Sequence, residues 1–336
     1  MEIKTQQAKK SLFSDSAIEQ LKEESESFQI LKNEISKAIV GNKEIIDFII
    51  IAVLCDGHIL LEGVPGVAKT TIIKTVTKAL GLSFQRIQFT PDLLPADLIG
   101  TLIYNPKTQD FETKKGPVFS NLVLADEINR SPAKVQAALL EAMQEQQVTI
   151  GSTTYQLDRP FLVFATQNPI EQEGTYKLPE AQVDRFMFKL IVNYLSIDEE
   201  KEIVGKNIEQ QNIEQVFTKK EILSAQKRIK EVYVDERIIK YLIDIVFATR
   251  EPQNFGLNDL SKLIMYGVSP RATLALYKAA QARAFIKRRY FVTPDDIKAV
   301  APVVMRHRIL LSYEAEAEGI TSDMIIQKIL ETIPSP

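Results

Sequence analysis

From Phe28 onward the apolar residues fall at helical intervals. Phe28, Leu31, Ile35 and Ala38-Ile39 line one face, and Val40-Gly41 marks an end. Asn42 stands where it would cap a second apolar helix reaching Cys55. Short, nearly pure apolar runs then alternate with helical patterns. His58–Glu62 reads as a buried strand, Ala68–Leu80 as a helix, Phe84–Phe89 and Leu122–Ala125 as further strands. Ser131-Pro132 reads as the cap and first position of a helix to about Glu145. The strands Phe161–Thr166 and Phe186–Val192 complete the set. This alternation predicts an α/β fold: a mostly parallel sheet with helices on both faces. From about Ile197 the strand pattern stops and helical periodicity continues to the end, with starts at Ser269-Pro270 and at Thr293-Pro294 before Asp295-Asp296. The expected organisation is a polar lead-in over 1–27, an α/β domain over 28–196 and a smaller all-helical domain over 197–336.

Two segments break the scheme. Thr101–Tyr104, Asn105-Pro106 and Phe111–Thr113 form one hairpin pattern; Gln147–Ile150, Gly151-Ser152 and Thr154–Leu157 form another. The pattern alone leaves open whether they extend the sheet or project to a substrate or a neighbouring subunit.

Composition narrows the chemistry. A chain of 336 residues fits two domains of the usual ~100–200 residues each. With 41 Lys+Arg against 44 Asp+Glu, the net charge of -3 argues against a polybasic membrane or nucleic-acid binder. One cysteine, Cys55, excludes an internal disulfide framework, and two histidines argue against a His-rich metal centre. The longest apolar run, Phe48–Cys55, is broken by Asp56-Gly57-His58, short of the ~20 residues a membrane span requires. The opening MEIKTQQAKK has no apolar stretch behind its charges, so a cytoplasmic protein is expected.

The chemistry is carried by the segment after the first strand, Gly63-Val64-Pro65-Gly66-Val67-Ala68-Lys69-Thr70. It follows the pattern of a phosphate loop, whose backbone N–H groups from Gly63 to Thr71 would face an anion at a helix N-terminus. Lys69 would bridge the β- and γ-phosphates, and the Thr70 hydroxyl would sit on Mg²⁺. Ala68 stands where a second glycine is usual; if its φ is helical, the methyl costs little. The apolar strand at Leu122 ends in Asp126-Glu127. Asp126 would help hold Mg²⁺, and Glu127 would act as general base toward the attacking water. Asn168 ends a strand expected beside that one and would orient water at the γ-phosphate. Arg185, after a loop, would donate to a phosphate on an adjacent subunit. Arg271 lies in the first turn of a helix, where the dipole opposes a cation, so an anionic partner is expected.

Taken together, GVPGVAKT, LVLADEINRSPAKVQAALLEAMQE, ATQNP, LPEAQVDRF and GVSPRA resemble, in order, an AAA+ ATPase and more narrowly the MoxR family, over residues 30–310. The resemblance implies an AAA+ phosphate-loop domain followed by an all-α lid. It implies that Lys69, Thr70 and Asp126 are Walker residues, Glu127 the hydrolytic base, Asn168 sensor 1, Arg185 the arginine finger and Arg271 sensor 2. Val40-Gly41 would line the adenine pocket, the hairpins would be the clade's two inserts, and Arg130 would face a subunit boundary. It implies ATP and Mg²⁺ as cofactors and a homo-oligomeric, hexameric ring. It further implies chaperone-like maturation or metal and cofactor insertion, with a partner carrying a von Willebrand A-type domain. Two rival readings remain at this point. One is a nucleic-acid remodeller, resting on Lys287-Arg288-Arg289 and Met305–Arg308; the other is a nucleotide-gated scaffold without turnover. Cys55, His58 and His307 carry no assigned chemistry.

Overall fold

The computed structural model describes residues 15–64, 66–168, 175–205 and 211–336. Pro65 of the phosphate loop and residues 1–14 of the lead-in lie outside the described residues. In chain order the elements are α1 (Asp15–Ser36), α2 (Lys43–Leu54), β1 (Ile59–Glu62), α3 (Lys69–Ala79), β2 (Phe84–Gln88), α4 (Pro95–Ile99), β3 (Gly100–Asn105) and β4 (Asp110–Lys115). There follow β5 (Leu122–Asp126), α5 (Ala133–Glu145), β6 (Gln147–Ile150), β7 (Thr153–Gln156), β8 (Leu162–Gln167), α6 (Glu180–Val183) and β9 (Phe188–Ile191). The remainder is α7 (Ile197–Gly205), α8 (Lys219–Arg228), α9 (Glu236–Ala248), α10 (Leu260–Leu263), β10 (Ile264–Tyr266), α11 (Pro270–Ile286), α12 (Pro294–Met305), β11 (Leu310–Leu311), α13 (Tyr313–Ala317) and α14 (Ser322–Thr332).

The central sheet runs β2-β5-β8-β1-β9, every pair parallel. Its middle strands are apolar on both faces because helices cover both. Alternation sorts the side chains. Ile59, Leu61, Leu122, Leu124, Phe164 and Phe188 pack with α2 and α3 through Ile49, Ile50, Ile72 and Val76. Leu60, Val123, Ala125, Val163 and Ala165 pack against Val135, Leu139 and Leu140 of α5. Each fully buried Leu, Ile or Phe contributes roughly 1.5–3 kcal/mol.

His58 stitches the lower end of this sheet. Its Nδ1 accepts from the Val163 N–H at 3.0 Å, so Nε2 carries the proton toward the Met143 carbonyl at 3.3 Å. Burial lowers its pKa, which suits this neutral state.

Several local expectations shift. The helix expected to start at Ser131-Pro132 begins at Ala133, with Pro132 in the cap position; Ser131 turns its hydroxyl back to the Ile128 carbonyl. Asn42 does precede α2, but in a left-handed conformation (φ 51°) with no side-chain cap bond. The two hairpins do not extend the main sheet: β3-β4 and β6-β7 are separate antiparallel ribbons. They lean on each other through Thr113 Oγ1 and Tyr155 OH, 2.9 Å apart. Tyr104 and Phe111 meet edge-on near the exposed end of the first ribbon. After β9 the described residues are mostly helical, with the short pair β10-β11 and a single parallel bridge between Tyr233 and Phe291. Among the described residues no helix is long and apolar enough to cross a membrane.

The helical part is pinned by Asp296, which is fully buried. It accepts from Arg283 at 2.7 Å, from Arg289 at 2.6 and 2.7 Å, and from the Thr293 N–H at 2.9 Å. Burial alone would raise its carboxyl pKa. The bonds from Arg289 and Thr293 and the Arg289 charge outweigh that and hold it below the usual carboxylate range. A carboxyl depressed by folding stabilises above the unfolded pKa of about 4 and loses that contribution as pH falls through its folded value. Asp296→Ala leaves two guanidinium groups without their shared carboxylate, so urea unfolding at pH 7 should show a loss of about 3–5 kcal/mol. The difference from the parent should shrink below pH 4.

Candidate functional site

Because the five strands are parallel, their C-terminal ends form one rim. The register puts Glu62 beside Gln167, so Gly63 and Asn168 leave adjacent strand ends, while Ala125 pairs with Ala165 on the other side of β8. The phosphate loop leaves this rim. Gly63 is required by space: an added Cβ would meet the Val192 carbonyl oxygen at 2.5 Å. Gly66 has φ +86° and faces open space, a conformation glycine adopts without steric cost. Ala68 overturns the expectation of a helical φ: it is left-handed, φ 57° and ψ 21°, which costs an L-residue roughly 1–2 kcal/mol. Val64 and Val67 anchor the loop against the core.

The strained Ala68 leads directly into the first turn of α3, with Lys69, Thr70 and Thr71. No acid occupies that turn, so its N–H groups and dipole are available to an anion. The Lys69 ammonium donates to the Gly63 carbonyl. Burial lowers its pKa, while Asp126, Glu127 and Glu62 favour the charged form.

Asp126 and Glu127 stand at the tip of β5 within a hydrogen-bonded frame. Asp126 Oδ1 accepts from Thr166 Oγ1 at 2.6 Å, and Oδ2 accepts from Arg86 Nε and Nη2 at 2.9 and 2.6 Å. The Thr166 hydroxyl accepts in turn from the Glu127 N–H at 2.8 Å. Glu127 is left-handed at φ 57° and ψ 50°, a second strained non-glycine residue on this rim. Its Oε2 accepts from Gln88 at 2.8 Å and from Arg130 at 2.9 Å. Arg130, expected at a subunit boundary, therefore pairs within its own chain. The sequence pattern does not single out Arg86, Gln88 and Thr166. Their signal is weak: polar residues near the ends of otherwise apolar strands, meaningful only once β2 and β8 are known to flank β5.

Arg185 and Arg271 lie at the other rim. Asp184 and Arg185 precede β9, and the Met187 N–H donates to the His58 carbonyl at the N-terminal end of β1. Arg185 Nη1 donates to the Leu140 carbonyl at 2.8 Å. The expected anionic partner of Arg271 is present, but it is Asp184, at 3.6 Å. Both arginines line a cavity of about 270 Å³ with Gly57, His58, Lys278 and Arg308. A four-residue strand is about 13 Å deep. Within one chain, then, these arginines sit a sheet-depth below Lys69 rather than beside it. Val40 and Gly41 line a separate cavity of about 490 Å³ with Gln29, Asn33, Lys43 and Asp47.

The donor set at the upper rim suits Mg²⁺, which takes hard oxygen ligands and keeps several waters. Thr70 would offer a hydroxyl and Asp126 a carboxylate. Both Asp126 oxygens already accept from protein donors, and the carboxylate would address an ion with its remaining acceptor capacity, directly or through water. Among the described residues no group of three or more His, Cys, Asp or Glu side chains is placed to hold a metal.

A phosphate loop on a β2-β5-β8-β1-β9 parallel sheet, followed by a helical lid, defines an AAA-type nucleotide-binding domain. Residues 58–188 match the family described as "ATPase family associated with various cellular activities (AAA)", and residues 259–329 match its lid domain. The chain is 45% identical to Chaperone MoxR1 of Mycobacterium tuberculosis, over 90% of this chain and 81% of that protein. It is 30% identical to Protein MoxR of Methylorubrum extorquens, over 91% and 94% respectively. A crystal structure of a candidate ATPase from Cytophaga hutchinsonii superposes with TM-score 0.90 at 51% identity, covering 96% of this chain and 98% of that one. The chain belongs to the MoxR family of AAA+ proteins.

Thr166 is 1% exposed and serves both Asp126 and Glu127. Thr166→Val keeps the shape but leaves a buried N–H and a carboxylate oxygen each short of a partner. Chemical denaturation should show a loss of about 1–3 kcal/mol.

Proposed function

We propose that this protein is an Mg²⁺-dependent ATPase that works as a ring of identical subunits with a chaperone-like role. The observation that carries this reading is the division of one catalytic set between two rims. Lys69, Asp126, Glu127 and Asn168 belong to the upper rim, Arg185 and Arg271 to the lower. A head-to-tail contact would bring the lower rim of one subunit onto the upper rim of the next, and repetition of that contact closes a ring. Six subunits follow by analogy with the family.

On this reading residues 28–196 form the nucleotide domain and 197–336 the lid. Val40 and Gly41 flank the base. The backbone from Gly63 through Thr71, including Val64, Pro65, Gly66, Val67 and Ala68, cradles the phosphates. Lys69 exchanges the Gly63 carbonyl for phosphate oxygens. Thr70 and Asp126 would hold Mg²⁺, which when bound would supply positive charge toward the transferred phosphoryl group. Glu127 accepts a proton from the attacking water, for which its carboxylate must leave Gln88 and Arg130. Asn168 orients that water. Arg185 and Arg271 of the adjacent subunit stabilise the transition state, and loss of the γ-phosphate releases them, shifting lid and hairpins.

Chaperone-type relatives support a role in maturing partner complexes. A von Willebrand A-type partner and a cytoplasmic location remain part of the proposal. The nucleic-acid reading is not favoured, since the four arginines of its basic runs pair with acids of the same chain. Arg289 binds Asp296, Arg288 pairs with Glu26, Arg306 pairs with Asp323, and Arg308 is buried.

Arg185→Ala should bind MgATP with near-parental affinity in calorimetry yet lose roughly 10³-fold or more in phosphate release. Mixed with Glu127→Gln chains, which keep Arg185 but lack the base, it should regain part of that rate. Retained turnover by Arg185→Ala alone would end the shared-site reading.

A further inference from the structure

The basic segment at the end of α12 has a use other than binding an external anion. Arg308 turns inward, its side chain only 3% exposed. A guanidinium carries five N–H donors, and here every one is occupied. Nε donates to Asp184 Oδ1 at 2.7 Å. Nη1 donates to the Met187 carbonyl at 3.1 Å and to the Val304 carbonyl. Nη2 donates to the carbonyls of Asp184 at 3.0 Å and Phe186 at 2.6 Å. His307 adds a contact to the Phe186 carbonyl at 3.0 Å. Four of these five bonds fall on the stretch Asp184–Met187, which contains Arg185. Asp184 also accepts from Ser269 Oγ at 3.0 and 3.1 Å and pairs with Arg271 at 3.6 Å. One lid guanidinium therefore holds the strand-entry segment that carries Arg185, and the carboxylate in that segment holds the start of the helix that carries Arg271.

We propose that Arg308 is a positioning residue for the shared site: it latches the lid to Asp184–Met187, so that Arg185 and Arg271 are presented to the adjacent subunit as one rigid unit. This rests on the two-rim reading above. Cohesion alone does not account for the arrangement. Apolar side chains of similar volume can join packed elements at least as well as a buried ion pair. A planar fork adds direction: it fixes successive carbonyls and a carboxylate at once, which an ammonium on a flexible stem does not. Since the lid supplies the fork, displacement of the lid also displaces Arg185.

The test uses the full chain and two conservative variants, Arg308→Lys and Asp184→Asn, with Arg185→Ala as reference. Thermal melting identifies which variants fold, and a single folded variant suffices to decide the question. The expected result is MgATP affinity within about two-fold of the parent, an unchanged KM, and kcat reduced at least about ten-fold. Mixing with Glu127→Gln chains should restore turnover, because the variant keeps its own phosphate loop and base while its neighbour supplies a well-placed Arg185. A simple packing defect would not be cured by a neighbour. Parental kcat in a folded variant overturns the proposal, as does a mixture that stays inactive when the Arg185→Ala mixture recovers. If Arg185→Ala itself keeps full turnover, the shared-site reading falls and takes this inference with it. If Arg185→Ala is inactive while Arg308→Lys is not, the inference falls alone.

Discussion

Parallel alignment of the five strands gives the sheet two rims with different chemistry. Every strand contributes its C-terminal end to one rim, where the phosphate loop, the Asp126-Glu127 pair and Asn168 stand together. Every N-terminal end lies at the other, where His58 and Asp184–Met187 meet the lid. About 13 Å of strand separates them. Among the described residues no side chain bridges that depth to put Arg185 on its own Lys69. On the proposed reading, a polyanion held at the first rim would draw on the arginines at the other rim of an adjacent subunit. Self-association follows from the direction of the strands, on the proposed reading, rather than from an added interface.

Holding the first rim in shape has a cost. Ala68 and Glu127 both adopt left-handed conformations without glycine's freedom, at roughly 1–2 kcal/mol each. They persist because their surroundings over-determine them. Ala68 sits between a loop anchored by Val64 and Val67 and the first turn of α3. Glu127 has its N–H fixed by Thr166 and follows five buried strand residues. Arg86 and Arg130 complete the balance by pairing with the adjacent carboxylates, which would otherwise repel each other at the strand tip.

Much of this is legible from the residues. Continuous apolar runs such as Leu122–Ala125 are diagnostic of strands covered on both faces, and the phosphate loop follows a strand and opens a helix as its chemistry requires. The sequence does not declare which strands become neighbours. Arg86 and Gln88 matter because β2 lies beside β5, although a helix, a hairpin and two loops intervene in the chain. The φ of Ala68 departs from expectation because a methyl group favours a helical value, and tertiary context overrides that preference. The basic segments mislead for a related reason. Charge runs are usually solvated, yet Arg289 turns to the buried Asp296 seven residues on, and Arg308 is buried against Asp184 and backbone carbonyls more than a hundred residues away. The side of the sheet on which Arg271 falls is equally invisible, since only the docking of the lid decides it.

The two rims are nevertheless physically continuous along β9. Glu62, one residue before the phosphate loop, pairs with Lys189 at 2.7 Å. The Lys189 carbonyl accepts from Arg306 of the lid at 3.3 Å, and the residues just before β9 are those that Arg308 grips. A short strand is therefore tied at its loop-facing side to β1 and at its entry to the lid. Packed elements of this kind shift between discrete arrangements rather than deforming smoothly. The Glu62–Lys189 pair lies two residues from the segment that Arg308 clamps, so the strand leading into the phosphate loop and the lid-held segment share β9 as a neighbour.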